Sequence, residues 1–243
     1  MRAKITSLYK NSGDRVIEEY SKFKFGCVSL IDYLAEEMAE LILGQISKKQ
    51  NYVIYTTNKF PTKNFYKKNS LILAEKIAEK LKLPLVIGEY RYCYNKKTFY
   101  DLNRDRNIPS YFLPEVKNED KLKFKKYTFL MIDDSIVTKT TLKASLKILK
   151  DITNKVNFFS VINLKGGKYR ESEANDYYYK KNGVNCLIDL LNSDRYILTT
   201  HMLRTIDTLK NKELKFLSVK ITEKSKKLLT KSFKKYIGKD LHI

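Results

Sequence analysis

The chain has 243 residues, with 48 Lys and Arg against 27 Asp and Glu, which gives a formal net charge of +21 at pH 7. Its 43% hydrophobic and 31% charged residues are ordinary for a globular protein, and no stretch approaches the roughly 20 apolar residues of a membrane span. Its three cysteines form no CxxC pair and no apolar run follows Met1, so we expect reduced thiols and a cytoplasmic location.

The first half of the chain shows alternating helix and strand patterns. Apolar residues at helical spacing predict a helix over 30–48, and residues 52–55 predict a short strand. A second helix is predicted over 70–81 and a second strand over 85–87. Residues 91–120 have no sustained period and are predicted to form a long loop or an irregular hairpin, and loops of that length are usually functional.

The middle of the chain predicts a buried parallel sheet. Residues 129–132 form a continuous apolar run, which is typical of a central strand buried on both faces. A helix over about 140–150 and a strand over 158–164 follow. Strands that alternate with helices of this length favour an α/β fold built from βαβ units around a parallel sheet.

The last third of the chain changes character after Gly183. Residues 184–191 are predicted as one more strand and residues 198–209 as one more helix. From 209 to 243 there are eleven lysines against three acidic residues, which fits either a solvated helix pair or a basic arm. We therefore predict a core over 1–183 and a C-terminal appendage over 184–243. His201 and His242 have no metal or triad spacing, so we interpret both as structural or surface residues.

The predicted central strand leads into the strongest candidate site. Asp133 and Asp134 follow the apolar run directly, and a hydroxyl-rich segment then enters the next helix. Ligands of open α/β sheets bind at the carboxyl ends of the strands, and a helix N-terminus offers N–H groups to an anion. Capping by Ser135, Thr138 or Thr140 is the alternative, but it leaves two carboxylates beside a buried strand unexplained.

The segment from 129 to 142 resembles the phosphoribosyl pyrophosphate (PRPP) binding motif of type I phosphoribosyltransferases. The resemblance consists of four apolar residues, an acidic pair and a threonine-rich loop. It implies that Asp133 and Asp134 face the ribose hydroxyls, as the catalytic pair, and that the loop cradles the 5-phosphate. The matching loop positions are Ser135, Val137, Thr138, Lys139, Thr140 and Thr141.

Two positions depart from the family pattern. Lys139 stands where the family usually has glycine, so a left-handed backbone there would be strained. Val137 stands where purine-using members place an aspartate base, which disfavours purine salvage.

Upstream residues resemble the ComF-like branch of that family, which is associated with DNA uptake in natural transformation. The chain lacks that branch's cysteine-rich zinc module and the glycine of its GFNQ-type segment. The residues that carry the resemblance are Asn64, Phe65, Asn69, Leu83, Pro84, Leu85, Arg104, Arg106, Asn107 and Phe112.

Further contacts follow from position in the family pattern. Residues of the segment after the 52–55 strand match the pyrophosphate loop, with an ordinary polar loop as the alternative. Arg104 and Arg106 match a flexible lid that would exclude water from the reacting centre, with an exposed arginine pair as the alternative. The four predicted pyrophosphate contacts are Thr56, Thr57, Asn58 and Lys59.

The resemblance implies a Mg²⁺-dependent glycosyltransferase that moves a phosphoribosyl group from PRPP to a nitrogen acceptor, under a hood built from the terminal segments. Mg²⁺ would bind through PRPP, with Asp133 and Asp134 nearby. The alternative is a catalytically silent protein on the same fold that binds nucleotide or nucleic acid.

The net charge indicates anionic partners, although the Lys-, Asn- and Ile-rich composition also fits lysines spread evenly by an AT-rich genome. PRPP or a nucleotide is the expected ligand, and nucleic acid is a further partner that the charge leaves open. No membrane partner is expected, and a homodimer is left open.

Overall fold

The computed structural model describes residues 3–10, 13–47, 49–58, 69–90, 113–137, 139–193, 195–238 and 240–241. Four of the predicted site residues, Lys59, Arg104, Arg106 and Thr138, lie outside these residues. Asn64, Phe65, Asn107 and Phe112, which carry much of the ComF-like resemblance, also lie outside them.

The described residues form six strands and ten helices. The strands are β1 Ala3–Lys10, β2 Tyr52–Asn58, β3 Leu85–Tyr90, β4 Pro114–Glu115, β5 Thr128–Ile136 and β6 Val156–Asn163. The helices are α1 Asp14–Lys24, α2 Val28–Leu43, α3 Asn69–Leu81, α4 Asn118–Lys123, α5 Thr140–Leu149, α6 Glu171–Asn182, α7 Asn185–Asn192, α8 Thr200–Asp207, α9 Asn211–Lys220 and α10 Glu223–Ile237.

The chain divides into two compact units. The sheet unit contains all six strands, and the helical unit contains the helices from α6 to the C-terminus together with α1. The sheet unit comprises Met1–Asn11, Asp32–Lys63 and Ser70–Gly167, and the helical unit comprises Ser12–Ile31, Asn64–Asn69 and Lys168–Ile243.

The sheet has the strand order β1-β6-β5-β2-β3-β4. Every neighbouring pair is parallel except β3 with β4, which is antiparallel and only two residues long. The predicted α/β fold, a parallel sheet with flanking helices, is confirmed. Strand β1 was not predicted from the sequence, because its mixed polar and apolar residues are a weaker signal than the apolar run of β5.

Burial explains why β5 lies in the centre of the sheet. Its residues from 128 to 134 are all buried, as expected for a parallel strand covered on both faces. On one face, Phe129 and Met131 pack in a hydrophobic cluster with Val53 of β2 and with Leu142 and Leu149 of α5. The helix that follows the acidic pair is therefore held against the sheet by its apolar side.

The helical unit has a core of its own, which corrects one prediction. Residues 184–191 were expected to form a strand, but Asn185–Asn192 is helix α7. Its buried residues Cys186, Leu187, Leu190 and Leu191 recur at helical spacing, and a short apolar run without a clear period fits either structure. The tail from 209 is a helix pair, α9 and α10, and not an extended arm.

A close backbone approach shapes the start of this unit. Gly26 has φ +90°, and a Cβ at this position would lie 2.0 Å from the carbonyl oxygen of Ile197. The backbone N–H of Ile197 donates to the Gly26 carbonyl at 2.9 Å. Only glycine allows this approach. Within the described part of the chain, no helix has the length and apolar character that crossing a membrane requires.

Candidate functional site

The candidate site lies where β5 separates from β2. The two strands pair in register from Tyr52 with Thr128 to Tyr55 with Met131. On its other side, β5 stays paired with β6 as far as Ile136 with Asn163. Beyond Met131 the edge of β5 that faces β2 therefore leaves the ladder. We call this point, where the backbone pairing of the two strands ends, the β2–β5 opening.

The connections of the sheet change direction at this opening. The chain passes from β2 through α3 to β3 on one side, and from β5 through α5 to β6 on the other. In parallel α/β sheets, such a switch point leaves a crevice at the carboxyl ends of the strands, where ligands bind. The topology thus makes the β2–β5 opening the candidate place for a ligand.

The acidic pair stands at this opening. Asp133 and Asp134 lie within β5, which continues to Ile136, two residues beyond the acidic pair at which the sequence predicted the strand to end. Their exposed fractions are only 4% and 6%, and the backbone N–H of Asp134 donates to Oδ1 of Asp133 at 3.0 Å. Buried carboxylates are costly unless they are bonded or used, so the pair is typical of a site.

The structure joins β2 to the acidic segment. Thr56 and Thr57 lie inside β2 and are buried, so the predicted pyrophosphate segment begins in the strand itself. The hydroxyl of Thr56 donates to the carbonyl of Ile132 at 3.0 Å, directly before Asp133. Thr57 and Asn58 pair with β3. Two segments that the sequence placed separately thus meet at one opening.

The loop after β5 ends in a strained residue. Lys139 is the N-cap of α5 with φ 60° and ψ 19°, a left-handed conformation, and its side chain makes no capping bond. The family pattern has glycine here, and a non-glycine residue in this region costs roughly 1–3 kcal/mol. Since the N-cap residue is Lys139, hydroxyl capping from the N-cap position does not explain this helix start, and Thr140 and Thr141 form its first turn.

Two buried contacts near the site had no sequence signal. The hydroxyl of Tyr55 donates to Ser145 of α5 at 3.4 Å, and burial raises the pKa of Tyr55. Gly88 of β3 lies beside it, since a Cβ there would meet the Tyr55 hydroxyl oxygen at 2.3 Å. These residues are far apart in sequence, so no local pattern could have paired them.

His201 lies beside a carboxylate and an aromatic ring in the helical unit. The sequence offered no carboxylate partner by spacing, but His201 Nε2 lies 3.2 Å from Oδ1 of Asp176 in the helical unit. The His201 ring also packs edge-on against Phe25, with 4.7 Å between ring centroids. Among the described residues no three His, Cys, Asp or Glu side chains form a metal-type group.

No protein-family model matches the chain, and no curated protein matches it. Similar solved structures include the hypoxanthine phosphoribosyltransferase of Staphylococcus aureus, at 13% identity over 58% of this chain and 73% of that chain, with a TM-score of 0.37. The adenine phosphoribosyltransferase of Leishmania tarentolae has 12% identity over 60% and 74%, with a TM-score of 0.38.

A third similar structure is the phosphoribosylpyrophosphate synthetase of Mycobacterium smegmatis. It has 17% identity over 53% of this chain, with a TM-score of 0.34, and the chain covers 33% of its length.

Proposed function

We propose that the chain binds PRPP with Mg²⁺ at the opening between β2 and β5 and transfers the phosphoribosyl group to a nitrogen nucleophile. The observation that carries this proposal is the separation of β5 from β2 after Met131, with Asp133, Asp134 and the start of α5 directly beyond it. This arrangement supplies acceptors for a diol and donors for a phosphate within one stretch of chain.

In this proposal Asp133 and Asp134 bind the hydroxyl groups of the ribose. Ionised carboxylates accept hydrogen bonds from two hydroxyls and favour positive charge on the sugar ring as the bond to pyrophosphate breaks. The bond from the ribose carbon to the pyrophosphate oxygen breaks, a bond from that carbon to the acceptor nitrogen forms, and the nitrogen's proton passes to solvent or a base.

In this proposal the N-terminus of α5 binds the 5-phosphate. The first N–H groups of a helix have no partner within the helix, and the helix dipole favours an anion there. Thr140 and Thr141 add hydroxyl donors in the first turn of α5, and Lys139 adds a positive charge. A phosphate at this position would be held mainly by backbone donors, as in other phosphate loops.

Magnesium fits the donor set of this site. Mg²⁺ is usually held by one or two carboxylates together with substrate phosphates, and Asp133 and Asp134 supply two buried carboxyl groups. When bound, Mg²⁺ neutralises charge on the pyrophosphate leaving group.

The remaining contacts extend the proposal to pyrophosphate. Thr57 and Asn58 are the proposed contacts, because they lie at the carboxyl end of β2, directly after Thr56, which bonds to the Ile132 carbonyl. Lys59 and the lid arginines Arg104 and Arg106 remain predictions, since they lie outside the described residues. We propose a phosphoribosyltransferase activity in general and not a ComF-like role, because much of the ComF-like resemblance also lies outside the described residues.

The acceptor belongs to a class without a purine-type base contact. Val137 offers no carboxylate where purine-using members have one, so an acceptor that needs proton abstraction at that point is disfavoured. A weakly basic nitrogen that keeps its lone pair free at neutral pH, such as that of an aromatic amine, needs no such base before it attacks, and its proton leaves afterwards. This residue is the main basis for choosing acceptors to screen.

The test is calorimetric titration of the whole chain with PRPP in the presence of Mg²⁺. We expect micromolar binding that is lost in Asp133→Asn/Asp134→Asn. A matched control is Glu119→Gln/Asp151→Asn, which removes two surface carboxylates of the same unit. No binding by the wild-type chain, or equal binding by the aspartate variant, would reject the proposal.

A second candidate function rests on Lys139. Its left-handed backbone keeps the loop conformation that glycine usually provides, but it adds a long side chain to a loop position where the family pattern has none. The chain would then bind a nucleotide without turning it over. Binding of PRPP with no pyrophosphate released in the presence of any acceptor, followed by turnover in Lys139→Gly, would favour this candidate over the first.

A further inference from the structure

Helix α10 presents a continuous basic face. The stripe is formed by residues three or four positions apart, which lie on one side of a helix. All its members are exposed, and they span about 15 Å at a rise of 1.5 Å per residue. They are Lys224, Lys227, Leu228, Lys231 and Lys234.

The opposite side of α10 is committed to the core of the helical unit. Leu229 and Phe233 are buried in its hydrophobic cluster. Ser225, in the first turn of α10, donates a hydrogen bond to the carbonyl of Leu191. The orientation of the helix is thereby fixed, so the lysine stripe faces outward in the folded unit.

The preceding helix repeats the pattern. On α9, Lys212, Lys215, Phe216, Val219 and Lys220 are all exposed, while Leu217 is buried. Phe216 is 43% exposed and Val219 is 76% exposed. The ammonium of Lys220 lies 5.9 Å from the centre of the Phe216 ring, so an aromatic face stands among the lysines.

The acidic residues of this segment have local partners. Glu223 pairs with Lys226 at 2.6 Å and Asp240 with Lys234 at 2.9 Å. Glu213 accepts from the backbone N–H of Lys210 at 2.9 Å. Since 209–243 holds eleven lysines against these three acids, the two helices keep a large positive surplus.

We propose that the exposed faces of α9 and α10 bind single-stranded nucleic acid. This inference is independent of the PRPP proposal, because it concerns the helical unit alone. Lysines along a helix match the repeated charge of a phosphate backbone, and exposed aromatic rings stack on unpaired bases. The charge surplus and Phe216 thus favour a strand with accessible bases over a duplex, whose bases are already stacked.

An anionic membrane surface fits this region less well. A helix that lies in a membrane interface buries a broad apolar face, but the apolar face of α10 is used by the core through Leu229 and Phe233. Among the described residues of α10, the exposed large apolar side chain is Leu228, which is 40% exposed and lies between lysines. On α9 only the pair Phe216 and Val219 is added, which is far from a broad apolar face.

The test measures binding of the full chain to fluorescent 20-nucleotide oligo-dT and oligo-U by anisotropy over a range of salt. Lys224→Ala/Lys227→Ala/Lys231→Ala should weaken binding and lower the slope of log K against log salt by about 2, at roughly 0.7 per phosphate contact. Phe216→Ala should weaken it by about 5- to 100-fold.

The matched control is Lys117→Ala/Lys123→Ala/Lys125→Ala, which removes the same charge from exposed positions of the sheet unit. Circular dichroism confirms folding of each variant. Equal losses in the two triple variants would overturn the proposal, because they would show a diffuse charge effect. Equal affinity for duplex DNA with no effect of Phe216→Ala, or binding only to phosphatidylserine vesicles, would also overturn it. The DNA and RNA arms show which strand is bound more tightly.

Discussion

The hydroxyl of Thr56 donates a hydrogen bond to the main-chain carbonyl of Ile132, with 3.0 Å between the oxygens. Both residues lie just beyond the last paired residues of β2 and β5, Tyr55 and Met131. A side chain therefore continues the contact between the strands where the backbone ladder has ended. This bond sets the margin of the candidate site, because the next residue of β5 is Asp133.

Thr56→Val should lower the free energy of unfolding by about 1–2 kcal/mol. Valine has nearly the shape of threonine but leaves the buried carbonyl of Ile132 without this donor. Urea denaturation measures the change, and Thr56→Ser, which keeps the hydroxyl, is the control. If the valine variant were as stable as the wild type, the bond would have no part in holding β2 against β5.

The stability of Lys139 variants should depend on how well the new residue tolerates the left-handed backbone at this position. We expect Lys139→Gly to be at least as stable as the wild type, because glycine adopts φ 60° without strain. Lys139→Val should be about 1–2 kcal/mol less stable, since a β-branched side chain is a poor fit to that region. Thermal denaturation of both variants tests this, and equal stability would contradict the strained loop.

Gly88→Ala should destabilise the sheet unit by about 1–3 kcal/mol, because the new methyl group would overlap the buried Tyr55 hydroxyl. Removing that hydroxyl in Tyr55→Phe should recover part of the loss. Unfolding free energies of both single variants and the double variant form the cycle that measures this coupling. If the losses in unfolding free energy were additive, the methyl group added by Gly88→Ala and the Tyr55 hydroxyl would not be in contact.

The stability of the chain should fall at alkaline pH partly through Cys186. Burial raises the pKa of its thiol from about 9 to about 12, so above pH 9 the unfolded chain releases a proton that the folded chain keeps. The unfolded state is then favoured as pH rises from 9 towards 12.

Unfolding in urea with a reductant at pH 8 and pH 10 measures this effect. The wild type should lose about 1 kcal/mol more than Cys186→Ala between the two values, because the other titrating groups are shared. An equal loss in both proteins would show that the thiol ionises as readily in the folded chain as in the unfolded one.

Much of the sheet unit was predictable because its signals are local. The apolar run of β5 is contained in a few consecutive residues. The helical spacing of apolar residues in α2, α3 and α5 is likewise visible within each continuous segment. The helical unit was harder, because α7 is short and hydrophobic and its buried spacing is distinct only once the core around Phe25 and Met202 is known. The polar α6 lacks a strong apolar period and was missed. Helix α1 was missed although its buried residues Ile17, Tyr20 and Phe23 recur at helical spacing.

The sequence by itself determined the α/β class, the acidic pair at Asp133 and Asp134, and the threonine-rich start of α5. These follow from residue types in consecutive positions, which the chain keeps in any fold. The tertiary structure decided that β5 leaves β2 at Met131, that Thr56 meets Ile132, and that Lys139 is left-handed. Thr56 and Ile132 are 76 residues apart, and strand register between such distant segments depends on packing of the whole sheet, which no local pattern encodes.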